Sequence, residues 1–143
     1  MADNRLDLLD PKLKQDCHVL GYFDSNILLL MKNAYFPWFI IVPQSNKIEF
    51  YQLDAPLQIK ILKQINQVSQ FINDCYAVDK INIATLGNVV SQLHVHVVGR
   101  YHNDICWPGL VWGVEQFKPY NDNDIIKIKK SLKTAFQNEF SIY

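Results

Sequence analysis

The chain has no surplus of charge. Fourteen Lys and Arg stand against fourteen Asp and Glu, so there is no broad positive field to hold a nucleic acid and no polybasic arm to reach anionic lipid. A phosphate-bearing ligand must therefore be gripped locally. Cysteine is scarce: Cys17, Cys75 and Cys106 are odd in number and widely spaced, which fits neither a disulfide framework nor a CxxC-type zinc site. They are expected to be reduced, partly buried apolar residues. Nowhere do about 18 apolar residues follow one another, so no membrane span is expected. Met1 to Asp16 lacks the positive start and apolar stretch of a secretory signal, and a cytoplasmic protein is the expectation. Repeats, low-complexity tracts and Gly/Ser/Pro-rich linkers are also missing. With 49% hydrophobic residues in 143, the chain can bury one substantial core, and residues 1–143 are expected to form a single domain.

The residues that are present mark a succession of short elements. A helical turn is expected at Pro11–Asp16. The apolar run His18–Phe23 meets the turn residues Asp24-Ser25-Asn26 and continues as Ile27–Met31, which predicts a hairpin. Trp38–Val42 is a β-branched and aromatic run between Pro37 and Pro43, whose missing N–H groups mark the ends of a third strand. From Leu57, the positions Ile61, Ile65, Val68, Ile72 and Cys75 fall three or four apart, with Asp54 as N-cap and Pro56 in the first turn; this predicts a long amphipathic helix. Ile81–Leu86 and Leu93–Val98 read as two more strands. Ile125, Ile128, Leu132, Ala135 or Phe136, and Phe140 repeat at helical spacing behind a cap at Asn123 or Asp124. The order predicts an α+β domain on a largely antiparallel five-stranded sheet, with one long helix after the third strand and a C-terminal helix.

The chemistry concentrates in Gln92-Leu93-His94-Val95-His96-Val97-Val98. Side chains two apart on a strand share one face, about 6.5–7 Å from each other, so His94 and His96 would line one surface. A neutral imidazole serves as nucleophile, acid, base or metal ligand near neutral pH. Three readings follow from the spacing. The pair can belong to an ordinary amphipathic strand, to a catalytic site, or to a His-x-His metal site that would need a further ligand such as His102, Asp104, Cys106 or His18.

The segment resembles the signature of the histidine triad (HIT) family, His-φ-His-φ-His-φ-φ, with the first histidine replaced by Gln92. Gly87-Asn88 stands where the family has a Gly-Gln pair in its phosphate-binding loop, and Phe36–Pro43 is similar to the family's apolar strand between prolines. The resemblance spans roughly residues 18–100. It implies an enzyme that acts at the α-phosphate of dinucleoside polyphosphates or nucleotide conjugates. His94 would be the nucleophile that forms a covalent nucleotidyl intermediate, and His96 would contact phosphate oxygens and help the leaving group depart. The loop around Gly87, Asn88, Val89 and Ser91 would hold the phosphate. The nucleophile would be oriented by the main-chain carbonyl of Gln92. A homodimer with a nucleotide substrate is implied, with no resident metal or cofactor and neither nucleic acid nor membrane as partner.

This sequence departs from the family pattern in three places. Gln92 cannot titrate, Val89 replaces a Ser or Thr, and the histidine expected on the third strand is missing, with Trp38 or Phe39 in that region. Lys32 and Asn33 are the loose candidates for a ribose contact. Trp107 and Trp112 bracket a Gly/Pro-containing loop that would pack on the core, with base stacking or capping of the dimer as the alternatives. Arg100 reads as a solvated charge at a strand end, with steering of phosphate into the site as the alternative. A nucleotide-binding or sensing module with impaired turnover, and a His-x-His metalloprotein, are the rival functions.

Overall fold

The computed structural model describes residues 3–143, so Met1 and Ala2 of the segment read for a leader lie outside the described residues. Asp10 caps a one-and-a-half-turn helix α1 (Pro11–Asp16) by accepting from Lys12 N–H. The hairpin β1 (Cys17–Phe23) and β2 (Asn26–Met31) turns at Asp24 and Ser25. Asp24 takes a positive φ of 56°, a conformation that Asp tolerates better than most residues. Strand β3 (Trp38–Val42) is buried along its whole length between its prolines. Asp54 then caps α2 (Ala55–Tyr76) through Leu57 N–H, with Pro56 in the first turn. Strands β4 (Lys80–Ala84) and β5 (Val95–Arg100) follow, then α3 (Asp122–Phe136) and a short strand β6 (Phe140–Ile142).

The strands make one sheet in the order β4-β5-β3-β2-β1-β6, with every pairing antiparallel. It has six strands rather than the expected five. Helix α3 stops at Phe136 and the chain leaves through Gln137 at φ 50°, so Phe140 emerges extended instead of continuing the helical stripe. It pairs opposite Phe23, and Gly21 faces Ile142. A Cβ at Gly21 would overlap Ser141 O and the Phe140 ring, so the absence of a side chain there is what lets β6 close against β1.

Other boundaries shift for local reasons. Asn121, not Asn123 or Asp124, caps α3, because Asn121 accepts from Asp124 N–H while the Asp124 carboxylate accepts from Asn121 N–H, a reciprocal pair. Strand β4 ends at Ala84, leaving Leu86 in the following loop. Cys75 is exposed, against the expectation, because Tyr76 rather than Cys75 turns toward the core at the end of α2. Cys17 is buried and Cys106 half-buried.

Alternation sorts the side chains onto two faces. Phe39, Ile41, Val95 and Val97 pack with Leu28 and Leu30 under α2 and α3. Trp38, Ile40, Val42 and Val98 face the other way, beneath Leu9, Leu13 and Val111 from the N-terminal and 105–114 segments. His94 and His96 belong to this second face, covered by short segments rather than by long helices. Among the described residues no helix is long and apolar enough to cross a membrane.

Candidate active site

Strand β5 begins at Val95, two residues later than expected, and His94 sits just before it. The shift has a chemical counterpart, since the Gln92 carbonyl is engaged by His94 Nδ1 at 2.6 Å. A carbonyl oxygen can only accept, so Nδ1 carries the proton and the lone pair of a neutral ring lies on Nε2. His94 and His96 are 6% and 4% exposed, with ring centroids 4.9 Å apart.

His96 is held from its other side. Trp38 Nε1–H donates to His96 Nδ1 at 2.9 Å, while Trp112 packs edge-on against His96 at 5.2 Å and against Trp38 at 5.8 Å between centroids. In the β3–β5 register His96 lies opposite Ile40 and Trp38 opposite Val98, which places the indole one step along the same face. Burial, and then the neighbouring His94, push the His96 pKa down to about 4. The ring is neutral at pH 7. Among the described residues neither histidine Nε2 has a hydrogen-bond partner, and neither is sealed off as Tyr22 Oη and Trp112 Nε1 are.

The Gln92 side chain points away from this chemistry. Its carboxamide accepts from Asp10 N–H at 2.8 Å and donates to the Leu8 carbonyl at 3.0 Å. The position of the missing first histidine therefore ties the N-terminal segment to the loop before β5. Its main chain orients His94, and its side chain anchors α1.

The loop between β4 and β5 enters the site only in part. Gly87 (φ 71°), Ser91, Gln92 and His94 line a small cleft with Glu49, Thr85 and Leu93. A positive φ at Gly87 strains any residue with a Cβ. Asn88 and Val89 do not line that cleft, and Val89 is 81% exposed. His96 lies deeper, beside Trp38 and Trp112. A second groove of about 540 Å³ runs past these tryptophans between Gln15, Met31, Lys32 and Asn33 on one side and Val114 to Phe117 on the other. Lys32 Nζ donates to the Gln15 carbonyl, and Asn33 ties the 116–118 segment by donating to Gln116 O and accepting from Lys118 N–H. Both are engaged in holding the walls of that groove.

Arg100 is not a solvated charge. It is 1% exposed and forms a two-pronged ion pair with Asp104, at 2.8 Å and 3.1 Å, while donating to Asn82 and to the Gly109 carbonyl. Burial alone would raise the Asp104 pKa, but hydrogen bonds from Arg100 and from Cys106 N–H outweigh it and leave it lowered. The clamp folds the loop that presents Trp112 to His96. Trp107 instead packs on His102 and beside the Arg100 guanidinium, away from the histidine pair.

The role of Trp38 is set by the sheet and not by its local sequence. Alternation along β3 assigns it a face, but only the β3–β5 register reveals which imidazole it meets. Glu49 and Thr85 carried no signal, because they reach the cleft from loops.

The HIT domain profile matches residues 12–103. A search of curated proteins returned no match. Among solved structures, a histidine triad protein from Sinorhizobium meliloti is 32% identical, covering 89% of this chain and 95% of that one at a TM-score of 0.85. One from Marinobacter aquaeolei is 35% identical, covering 89% and 93% at 0.84. A third, from Bradyrhizobium japonicum, is 34% identical, covering 89% and 96% at 0.84. With the profile over most of the chain, these relatives over nearly all of it and the paired histidines on one sheet face, the chain belongs to the histidine triad (HIT) family.

Proposed function

We propose that the protein is a nucleotide hydrolase or transferase that acts at the α-phosphate of dinucleoside polyphosphates or nucleotide conjugates through a covalent nucleotidyl-His94 intermediate. The observation that carries this reading is the 2.6 Å contact between His94 Nδ1 and the Gln92 carbonyl, which puts a lone pair on Nε2 of a ring with no other hydrogen-bond partner among the described residues. His94 Nε2 forms a bond to the α-phosphorus as the bond to the leaving oxygen breaks. The positive charge gained by the ring is stabilised at Nδ1–H by the same carbonyl. Water then adds its hydroxyl to phosphorus, the P–N electron pair returns to Nε2, and the remaining proton goes to solvent. The Gly87 backbone N–H and the Ser91 hydroxyl, which line the cleft beside His94 as Asn88 and Val89 do not, supply hydrogen bonds to phosphate oxygens. The groove past Trp38 and Trp112 receives the nucleoside.

Residues 1–143 act in this reading as one domain. Two copies associate through the sheet edge at β4, where Ile83 is exposed. The metal-site alternative is less favoured because among the described residues no third His, Cys, Asp or Glu side chain converges with His94 and His96.

The test is a panel of dinucleoside polyphosphates and nucleotide conjugates with product identification, together with intact-mass detection of nucleotide on His94 in rapidly quenched samples. His94→Asn should lose on the order of 10³-fold or more in turnover. Unchanged turnover in that variant would remove the nucleophile assignment, and tight nucleotide binding without turnover or adduct would favour a binding module.

A further inference from the structure

We propose that Trp38 is a positioning residue that fixes His96 as a neutral Nε2–H donor, and thereby restricts the enzyme to leaving groups that depart as oxyanions. The inference rests on the catalytic reading of His94 for its second half and on hydrogen-bond geometry alone for its first.

An indole N–H can donate and never accept. Its 2.9 Å contact with His96 Nδ1 therefore requires a lone pair on Nδ1, and the single proton of the neutral ring must sit on Nε2. Protonating Nδ1 would set two donors against each other inside a buried pocket and strand the indole N–H, a costly outcome for a buried polar group. The surroundings give an imidazolium little help. Trp38 and Trp112 pack on the ring, Ile40 and Ala84 flank it in the sheet, and the titratable side chain acting on it among the described residues is His94. No carboxylate offsets a positive charge there.

A neutral imidazole donates a hydrogen bond from Nε2 but cannot hand over that proton without becoming an anion. His96 thus stabilises charge on the departing oxygen and does not act as a general acid. A terminal phosphate leaving group needs no proton, since its second pKa is about 6 and it is stable as an oxyanion at neutral pH. The P–O bond breaks, the oxygen keeps the electron pair, and His96 Nε2–H hydrogen-bonds to it. An amine leaving from a P–N bond must gain a proton as the bond breaks, and among the described residues no acid is placed beside His96 to supply it. The substrate class is therefore the nucleoside phosphoanhydrides rather than the phosphoramidates.

Two measurements test the proposal. Nitrogen-15 spectra of the histidine-labelled protein at pH 7, without nucleotide, should show His96 Nδ1 unprotonated and Nε2 protonated; the reverse tautomer or an imidazolium overturns the tautomer lock whatever the enzyme cleaves. In the activity arm, a diadenosine polyphosphate and an adenosine 5′-phosphoramidate are compared at pH 7. Loss of general-acid assistance is worth 10²–10⁴-fold, so the phosphoramidate should be slower by about a hundredfold or more. Equal rates overturn the leaving-group restriction, and turnover of neither substrate overturns both that restriction and the function proposed above, while the spectra still decide the tautomer. In Trp38→Phe, which keeps an aromatic ring but loses the donor, His96 should populate the second tautomer, whose Nε2 carries no proton. The phosphoanhydride then loses the hydrogen bond to its departing oxygen and its rate should fall by about tenfold or more, narrowing the ratio; an unchanged tautomer in that variant rules out Trp38 as its cause.

Discussion

Replacing Gln92 with Ala separates two contributions of one residue. The substitution deletes the carboxamide that accepts from Asp10 N–H and donates to Leu8 O, and keeps the main-chain carbonyl that holds His94. Each lost hydrogen bond contributes about 1 kcal/mol net. Leu8 is 76% exposed, so water replaces the donor to its carbonyl cheaply, whereas Asp10 N–H is partly buried at the start of α1. A total loss of about 2 kcal/mol follows, and for a domain of this size that lowers Tm by roughly 6 °C. Turnover should change by no more than about threefold, since less than 1 kcal/mol of transition-state stabilisation is touched. Thermal melts by circular dichroism and kcat/KM on the same preparations check both halves. An unchanged melt combined with a loss of about a hundredfold in turnover, worth about 2.7 kcal/mol, would refute the assignment of the amide to anchoring and place it among the reacting groups.

Asp104→Asn leaves the Arg100 guanidinium buried without its counter-charge, which costs about 3–5 kcal/mol; a melt within about 2 °C of the parent would contradict the clamp. The folded protein keeps His96 neutral down to about pH 4, while in the unfolded chain the same group protonates below about 6.5. The unfolded chain therefore binds more protons in that window, and stability should fall as pH drops from 6.5 toward 4, reaching a loss of about 3 kcal/mol. Melts between pH 7 and 4.5 check this, and His96→Gln should flatten the dependence; an equal slope in that variant assigns it to other groups. Light scattering at high micromolar concentration should give twice the 16.7 kDa mass of the chain, and a monomer would contradict association through the β4 edge.

Period and punctuation made most of the fold legible. The prolines around Trp38–Val42, the Asp54 cap and the helical spacing of Ile61, Ile65, Val68 and Ile72 each state a local preference that the tertiary structure keeps. The sixth strand was illegible because Phe140 fits a helical stripe as well as a strand, and the reversal that decides between them happens at Gln137, a residue with no turn preference. In the site, the two-residue spacing of His94 and His96 was enough to place both rings on one face. The partners of those rings were not readable, because they come from register and from side-chain bonds across large separations. Trp38 lies 58 residues from His96, and Gln92 reaches Asp10 across 82. Arg100 was misread for the same reason, since a charge at a strand end looks solvated until Asp104 and the Gly109 carbonyl fold back over it.

The two faces of the sheet also differ in how freely evolution can edit them. Beneath α2 and α3, large apolar side chains interlock, and a change of volume at Phe39, Ile41 or Phe71 propagates through the whole layer. Over the histidines, the covering segments join the apolar contacts of Leu9, Leu13 and Val111 to discrete ties, such as Gln92 to Leu8 and Asp10, Asn33 to Gln116, Lys32 to Gln15, and Arg100 to Gly109. Residues between those ties, among them Leu110, Glu115 and Phe117, can be exchanged or lengthened without repacking the helical layer. If the protein acts as proposed, new ligand preferences are thus reachable by small mutational steps in a part of the molecule where the rest of the fold imposes few vetoes.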